Sequence, residues 1–180
     1  MALREPGDLA QPIGPKWLEI TFRDLTSLGS TTVLTVITLV VVGYLLVERR
    51  LATALLVAVS VGMGALVSTF MKNQFARPRP DLVAHLVDVS TLSFPSGHAM
   101  LSAVTYLTLG SLLAGVHPER TARLYILSVA VLLTLLIGIS RVYLGVHYPT
   151  DVLAGWSAGA AWAMLCWLAA RYFKNRGRVE

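Results

Sequence analysis

Apolar positions along this chain gather into five long stretches, about Thr31–Val47, Leu51–Met71, His98–Val116, Ala122–Ile139 and Asp151–Ala170, with charges confined to their ends. Each approaches the ~20 residues needed to cross the hydrocarbon core of a bilayer. The apolar character runs round every face rather than along one stripe, so these helices have no side suited to water. The pattern predicts an all-α fold, a polytopic membrane bundle of about five transmembrane helices. Gly62, Met63 and Gly64 in the second stretch, and the Gly, Ala and Trp of the last, are suited to close packing between such helices. Before the first stretch, Lys16–Leu28 reads "KWLEITFRDLTSL" and places Trp17, Ile20, Leu25 and Leu28 within reach of one helical face. That segment predicts a helix lying in the membrane interface. No apolar run followed by a small-residue cleavage site precedes Pro12 and Pro15, so a signal peptide is not expected. The whole of 1–180 reads as a single integral-membrane domain, with a core at about 51–170 and an N-terminal interfacial segment at 1–30.

Composition agrees with a membrane residence: 55% of the 180 residues are hydrophobic and 14% charged, and the mean hydropathy is +0.66. Cys166 is the single cysteine, which excludes an intrachain disulfide or a cysteine-based metal site. The net charge of +5 is read as membrane topology, and no nucleic-acid partner is expected. With five crossings the polar connections fall alternately on two sides. One side carries Arg49, Arg50, Arg120, Arg123, Arg171, Lys174, Arg176 and Arg178 close to span ends. The other has Arg4, Lys16, Arg23, Lys72, Arg77, Arg79 and Arg141, balanced by seven acids. The positive-inside rule makes the first side cytoplasmic. The bias of eight basic residues to seven gains weight if Lys72, Arg79 and Arg141 are held within a site.

Three polar clusters emerge together on that second side: "KNQFARPRP" at the end of the second stretch, "SFPSGHAM" at the start of the third, and "SRVYLGVHYPTD" between the last two. Ionisable groups converging at the end of a membrane bundle mark a candidate site. Lys72, Arg79 and Arg141 come from three different segments, and cations of these types suit phosphate oxygens. Ser96, Gly97 and His98 open a helix whose free N–H groups and dipole favour an anion. Ser96 adds a hydroxyl donor, and Gly97 admits an oxyanion close to the backbone. His98 and His147 have ordinary pKa values near ~6.5, suited to proton transfer. Pro149 fits the first turn of a helix, leaving His147 just outside it. Asp151 in that turn can reach back to the ring, fix its tautomer and leave the other nitrogen free as a nucleophile. Taken singly these residues have plainer uses: the arginines as headgroup anchors, a histidine as a cap, Asp151 as a complement to the helix dipole. Their joint occurrence on one side favours the site.

In order and spacing the clusters resemble the three-part signature of the type-2 phosphatidic acid phosphatase superfamily: Lys, six residues and Arg-Pro; Pro-Ser-Gly-His; then Ser-Arg, five residues, His, three residues and Asp. The positions are filled by Lys72, Arg79, Pro80, Pro95, Ser96, Gly97, His98, Ser140, Arg141, His147 and Asp151. The resemblance implies that Lys72, Arg79, Ser96, Gly97 and Arg141 hold phosphate, His147 attacks phosphorus, Asp151 orients it and His98 protonates the leaving group. That superfamily also includes class A acid phosphatases and vanadium haloperoxidases, whose pocket takes vanadate. The five stretches favour its membrane branch, which acts on lipid phosphates without a metal or other cofactor.

The expected activity is therefore hydrolysis of a lipid phosphate or prenyl diphosphate held in the bilayer, through a phosphohistidine intermediate. By the resemblance the candidates are undecaprenyl diphosphate, phosphatidylglycerol phosphate and phosphatidic acid. The expected location is a cell membrane, with the site on the extracytoplasmic face. A non-catalytic transporter or flippase for anionic lipids is the alternative. It would need the cations but has no evident use for two imidazoles and an orienting carboxylate. In the short connection Asp81–Phe94, Leu82, Val83, Leu86, Val87 and Val89 are expected to meet lipid tails. Arg77, His85 and Asp88 are expected to be solvated surface groups.

Overall fold

The computed structural model describes residues 3–5, 7–80, 86–87 and 91–176. Six helices follow a short N-terminal hairpin: α1 Lys16–Ser27, α2 Thr31–Val47, α3 Leu51–Phe75, α4 Gly97–Val116, α5 Arg120–Tyr143 and α6 Pro149–Arg176. The last four are each long and apolar enough to cross a membrane, and α1 with α2 forms a fifth candidate bent by 46°. Exposed Leu39, Leu55, Leu66, Leu132 and Met164 give the bundle the apolar exterior that a bilayer covers. Four such helices, or five with the bent pair, agree with the expected bundle. The all-α expectation omitted the hairpin, in which β1 (Arg4–Glu5) pairs antiparallel with β2 (Asp8–Pro12).

Local chemistry sets the helix ends. Ser30 caps α2, its hydroxyl accepting from the Val33 N–H at 3.3 Å, and Ser96 caps α4. At the end of α3, Ala76 turns into the left-handed region with φ 44°. The Arg-Pro-Arg-Pro that follows cannot continue a helix. Pro149 opens α6, where its missing N–H costs nothing.

Helix α4 is the central post, packed by α2, α3, α5 and α6. Of its most apolar 18-residue window 56% is buried, against 28% or less in the other three long spans. Small residues let its neighbours approach: a Cβ on Gly159 of α6 would lie 2.5 Å from the Met100 carbonyl, and one on Gly155 2.7 Å from that of Ser96. Three polar contacts pair groups across helices, as suits a hydrocarbon setting. Ser60 and Thr108 hydroxyls meet at 3.0 Å. Trp162 Nε1 donates to the Ser60 carbonyl, and Trp156 Nε1 to that of Thr134.

Helix α1 packs on α5 through a face distinct from the one expected to meet the membrane interface. Leu18 and Phe22 cover Tyr143, Leu144 and Val146, with the Phe22 and Tyr143 rings 4.4 Å apart. Trp17 and Ile20 point outward. Pairing with Tyr143 selects the face that carries Phe22. Leu86 and Val87, expected against lipid tails, also pack on that cluster, whose apolar side chains at the end of α5 offer them burial within the protein. Leu82, Val83, Val89, His85, Asp88 and Arg178 lie outside the described residues.

The elbow between α1 and α2 reaches the polar end of the bundle. The Leu28 carbonyl accepts from Tyr106 of α4 at 2.9 Å. Gly29 is buried, and a Cβ there would meet Ile137 at 2.4 Å and His98 Cδ2 at 3.4 Å.

Candidate active site

The end of α3, the Arg-Pro-Arg-Pro segment, residues 91–96, the start of α4, the end of α5 and the turn into α6 meet at one end of the bundle. All eight residues expected there are present. Lys72 Nζ donates to the carbonyls of Leu92 at 2.6 Å and Pro95 at 2.9 Å. It thereby lies beside the start of α4, its Cε 3.5 Å from where a Cβ on Gly97 would sit. Arg79 donates through Nε to Thr91 O at 2.6 Å and through Nη2 to Thr91 Oγ1 at 3.1 Å. Its Nη1 donates to Val146 O at 2.8 Å and faces His147 Nε2 at 3.1 Å. Arg141 is buried, and its Nη1 donates to Thr26 Oγ1 at 3.0 Å. Its Nε is buried without a hydrogen-bond partner among the described residues. No ion pair described joins Lys72, Arg79 or Arg141 to a carboxylate. The site therefore gathers positive charge and is suited to a polyanion.

Ser96 contributes in two directions. Its hydroxyl accepts from the Ala99 N–H at 3.5 Å, and its own N–H donates to the Asp151 carbonyl at 2.9 Å. The second bond ties the first turn of α6 to the cap of α4. His98 follows one residue into α4, with its backbone carbonyl and ring edge near the Gly29 elbow.

His147 lies in the turn before α6, almost wholly buried. Arginine can only donate, so the Arg79 contact requires a lone pair on Nε2 and places the ring proton on Nδ1. The direct Nδ1 to Asp151 Oδ2 distance is 3.5 Å. Ser93 completes a triangle with these two atoms, its hydroxyl 3.4 Å from Nδ1 and donating a short hydrogen bond to Asp151 Oδ2. Burial, opposed by the Asp151 hydrogen bond and reinforced by Arg79, Arg141 and Lys72, lowers the His147 pKa to about 4. The ring is neutral at pH 7.

Asp151 is fully buried. Besides Ser93, its Oδ2 accepts from the Tyr148 N–H at 3.0 Å and its Oδ1 from Arg77 Nη1 at 2.9 Å. Arg77 also donates to Thr150 Oγ1 at 2.9 Å and stacks over Tyr148, 4.1 Å from the ring centroid. The expected role of Arg77 as a solvated surface residue is corrected here: it is the ion-pair partner of the carboxylate. Beside it an open depression of about 470 Å³ is lined by Phe75, Ala76, Arg77, Pro78 and Phe94.

Sequence reasoning thus missed Arg77, Ser93 and Thr26. Arg77 and Ser93 flank signature residues within the same two clusters, whereas Thr26 gives no local signal.

Comparison with known proteins bears on the whole arrangement. The family model described as the PAP2 superfamily matches residues 53–175. Phosphatidylglycerophosphatase B of Bacillus subtilis (strain 168) is 36% identical over 146 residues, 79% of this chain and 70% of that protein. Decaprenylphosphoryl-5-phosphoribose phosphatase of Mycobacterium tuberculosis (strain ATCC 25618 / H37Rv) is 34% identical over 125 residues, 68% of this chain and 64% of that one. The crystal structure of a transmembrane PAP2 type phosphatidylglycerolphosphate phosphatase from Bacillus subtilis superposes with a TM-score of 0.81 at 32% identity, covering 91% of this chain and 80% of that one. For Aquifex aeolicus LpxE the TM-score is 0.64 at 26% identity, with coverage of 86% and 87%.

Proposed function

This chain belongs to the PAP2 superfamily, and from that premise we propose that it hydrolyses a bilayer-held lipid phosphate or diphosphate through a phosphohistidine formed on His147. The observation that carries the mechanism is the neutral His147 ring, its Nε2 facing Arg79 at 3.1 Å among cations that lack carboxylate partners. Substrate phosphate displaces Arg79 from Nε2 and takes its donors, with Lys72, Arg141, the Ser96 hydroxyl and the N–H groups at Gly97 and His98. The Nε2 lone pair then forms a bond to phosphorus as the bond to the leaving oxygen breaks. His98, protonated once the bound anionic phosphate offsets the surrounding cations, delivers a proton to that oxygen. Neutral His98 next takes a proton from water, whose oxygen attacks phosphorus, freeing inorganic phosphate and restoring Nε2. A transporter gains nothing from an imidazole held in one tautomer.

The substrate class is supported by the relatives and by the site's position at the end of a membrane bundle. A lipid can stay in the bilayer while its phosphate enters. The named activity of the 36%-identical relative makes phosphatidylglycerol phosphate the first substrate to assay, with undecaprenyl diphosphate and phosphatidic acid beside it. Purified protein is expected to release phosphate from at least one of the three. Release should persist in a chelator, because the clamp consists of Lys72, Arg79 and Arg141. Vanadate should inhibit competitively. Total, metal-reversible loss in the chelator, or no release from any of the panel, would reject the proposal.

We further propose a cell-membrane location with the site on the extracytoplasmic face. In support, Lys72, Arg77, Arg79 and Arg141 are held within the site, Arg23 is paired with Glu19 at 2.7 Å and Arg4 is buried. The opposite end retains exposed Arg49, Arg50, Arg120 and Arg171 as the free positive charge that stays inside. In intact cells carrying Cys166→Ser, an impermeant thiol reagent is expected to label Gln74→Cys and spare Arg120→Cys. The reverse pattern would invert the orientation.

A further inference from the structure

Ser93 is fully buried, and its hydroxyl shares the Nδ1 side of the His147 ring with Asp151 Oδ2, at 3.4 Å against 3.5 Å. We propose that it is a positioning residue, a second acceptor that together with Asp151 sets the tautomer and angle of the His147 ring. The proposal rests on the reading of His147 as nucleophile and adds a group that the three-part signature omits.

A serine hydroxyl has one proton to give and lone pairs to receive. The proton goes to Asp151 Oδ2, so toward the ring, 3.4 Å away, Ser93 Oγ can act only as acceptor. It therefore calls for N–H at Nδ1. On the opposite side of the ring, Arg79 calls for a lone pair at Nε2. The two neighbours come from different segments and select the same tautomer, the one with Nε2 free to attack phosphorus.

Asp151 alone holds the ring loosely. Its oxygens are already committed to Arg77 at 2.9 Å and to the Tyr148 N–H at 3.0 Å, which hold its nearer oxygen 3.5 Å from Nδ1. Ser93 itself is well placed. Its N–H donates to the Arg77 carbonyl at 2.9 Å, and the carbonyl before it receives Lys72 Nζ. The backbone that carries this hydroxyl is thus tied to the segments that supply the phosphate clamp and the partner of Asp151.

The test compares Ser93→Ala, Ser93→Thr and Ser93→Cys with wild type and with His147→Ala, using phosphatidylglycerol phosphate and an aryl phosphate. Ser93→Ala is expected to lower kcat and the rate of phosphoenzyme formation by about 10- to 100-fold, the range for loss of a hydrogen bond to a reacting group. KM should stay within about twofold, because the cations that bind phosphate are untouched. Ser93→Thr, which keeps the hydroxyl, should recover most of the rate. Ser93→Cys preserves volume with a weak S–H donor and should lose kcat with no change in thermal midpoint. In ¹⁵N-histidine spectra, the His147 signals of Ser93→Ala should shift from the Nδ1–H form toward a mixture. Wild-type kcat in Ser93→Ala, or equal loss in Ser93→Thr with a lowered thermal midpoint, would overturn the proposal. Phosphoenzyme in His147→Ala would instead overturn the nucleophile assignment on which it rests.

Discussion

His147→Ala is expected to abolish turnover of every substrate, a loss of roughly four to six orders of magnitude, because no other group takes over the covalent step. His98→Ala should fail differently. It removes proton transfer, worth typically ~10²–10⁴-fold, and should hurt least when the leaving group needs no proton. An activated aryl phosphate is therefore expected to restore much of the phosphorylation rate in His98→Ala and none in His147→Ala. Rapid-quench trapping of labelled phosphoenzyme with both substrates reads the difference, and label on His147→Ala protein would move the nucleophile elsewhere. The pH dependence supplies a second signature. Burial lowers the His147 pKa from 6.5 to about 4, so Nε2 keeps its lone pair above that value and loses it below. In the His98→Ala background with the aryl phosphate, phosphoenzyme formation should hold its rate through pH 6 and 5. Its decline should come near pH 4, and a nucleophile limb near 6.5 would contradict the buried, cation-flanked setting.

Gly155→Val is expected to damage both fold and chemistry. The added Cβ would lie 2.7 Å from the Ser96 carbonyl, 3.0 Å from Ala99 Cβ and 3.1 Å from the Met100 N–H nitrogen. Two of those neighbours are helical backbone and cannot swing away, so α6 must retreat from α4. Retreat breaks the Ser96 N–H to Asp151 carbonyl bond one turn away and draws the carboxylate from His147. Overpacking of this kind typically costs about 1–3 kcal/mol and here should lie at or above the upper end. Activity should fall by at least ~10²-fold in the folded fraction, given the sensitivity of catalysis to misplacement of about 1 Å. Gly62 has nothing within 4 Å of an added Cβ. Gly62→Ala should be neutral or stabilising by up to about 1 kcal/mol. Thermal unfolding in detergent with parallel phosphate-release assays checks the pair, and an unperturbed Gly155→Val would contradict the α4–α6 packing.

The bundle could be read from the chain because a membrane helix declares itself locally: every position of Thr31–Val47 or Ala122–Ile139 must be compatible with hydrocarbon, whatever it packs against. Observed helices differ from the expected stretches mainly at polar ends. Thus α3 runs on to Phe75 and carries Lys72 on its last turn. The site residues were equally local, three runs with fixed spacing that emerge on one side. The omissions depend on pairing between distant segments. Arg77 and Asp151 are 74 positions apart, Ser93 and Asp151 58, and Thr26 and Arg141 115. A serine before Phe-Pro and an arginine before Pro both fit solvated loops until the carboxylate between them is located. The side of α1 turned to the bundle depends on pairing in the same way: the ring of Tyr143 selects Phe22, which leaves Trp17 and Ile20 on the outer face.

The elbow between α1 and α2 limits how far this protein can be treated as exchangeable parts. Thr26 accepts from Arg141, and Gly29 lies against His98, yet both precede residue 53, where the family match begins. A chimera that grafts 53–175 onto a relative's N-terminal third would carry the full signature while making the acceptor of Arg141 and the backing of His98 depend on whatever that relative places at these two positions. The natural cut for transplanting this catalyst is therefore upstream of Lys16, with the elbow travelling as part of the cargo.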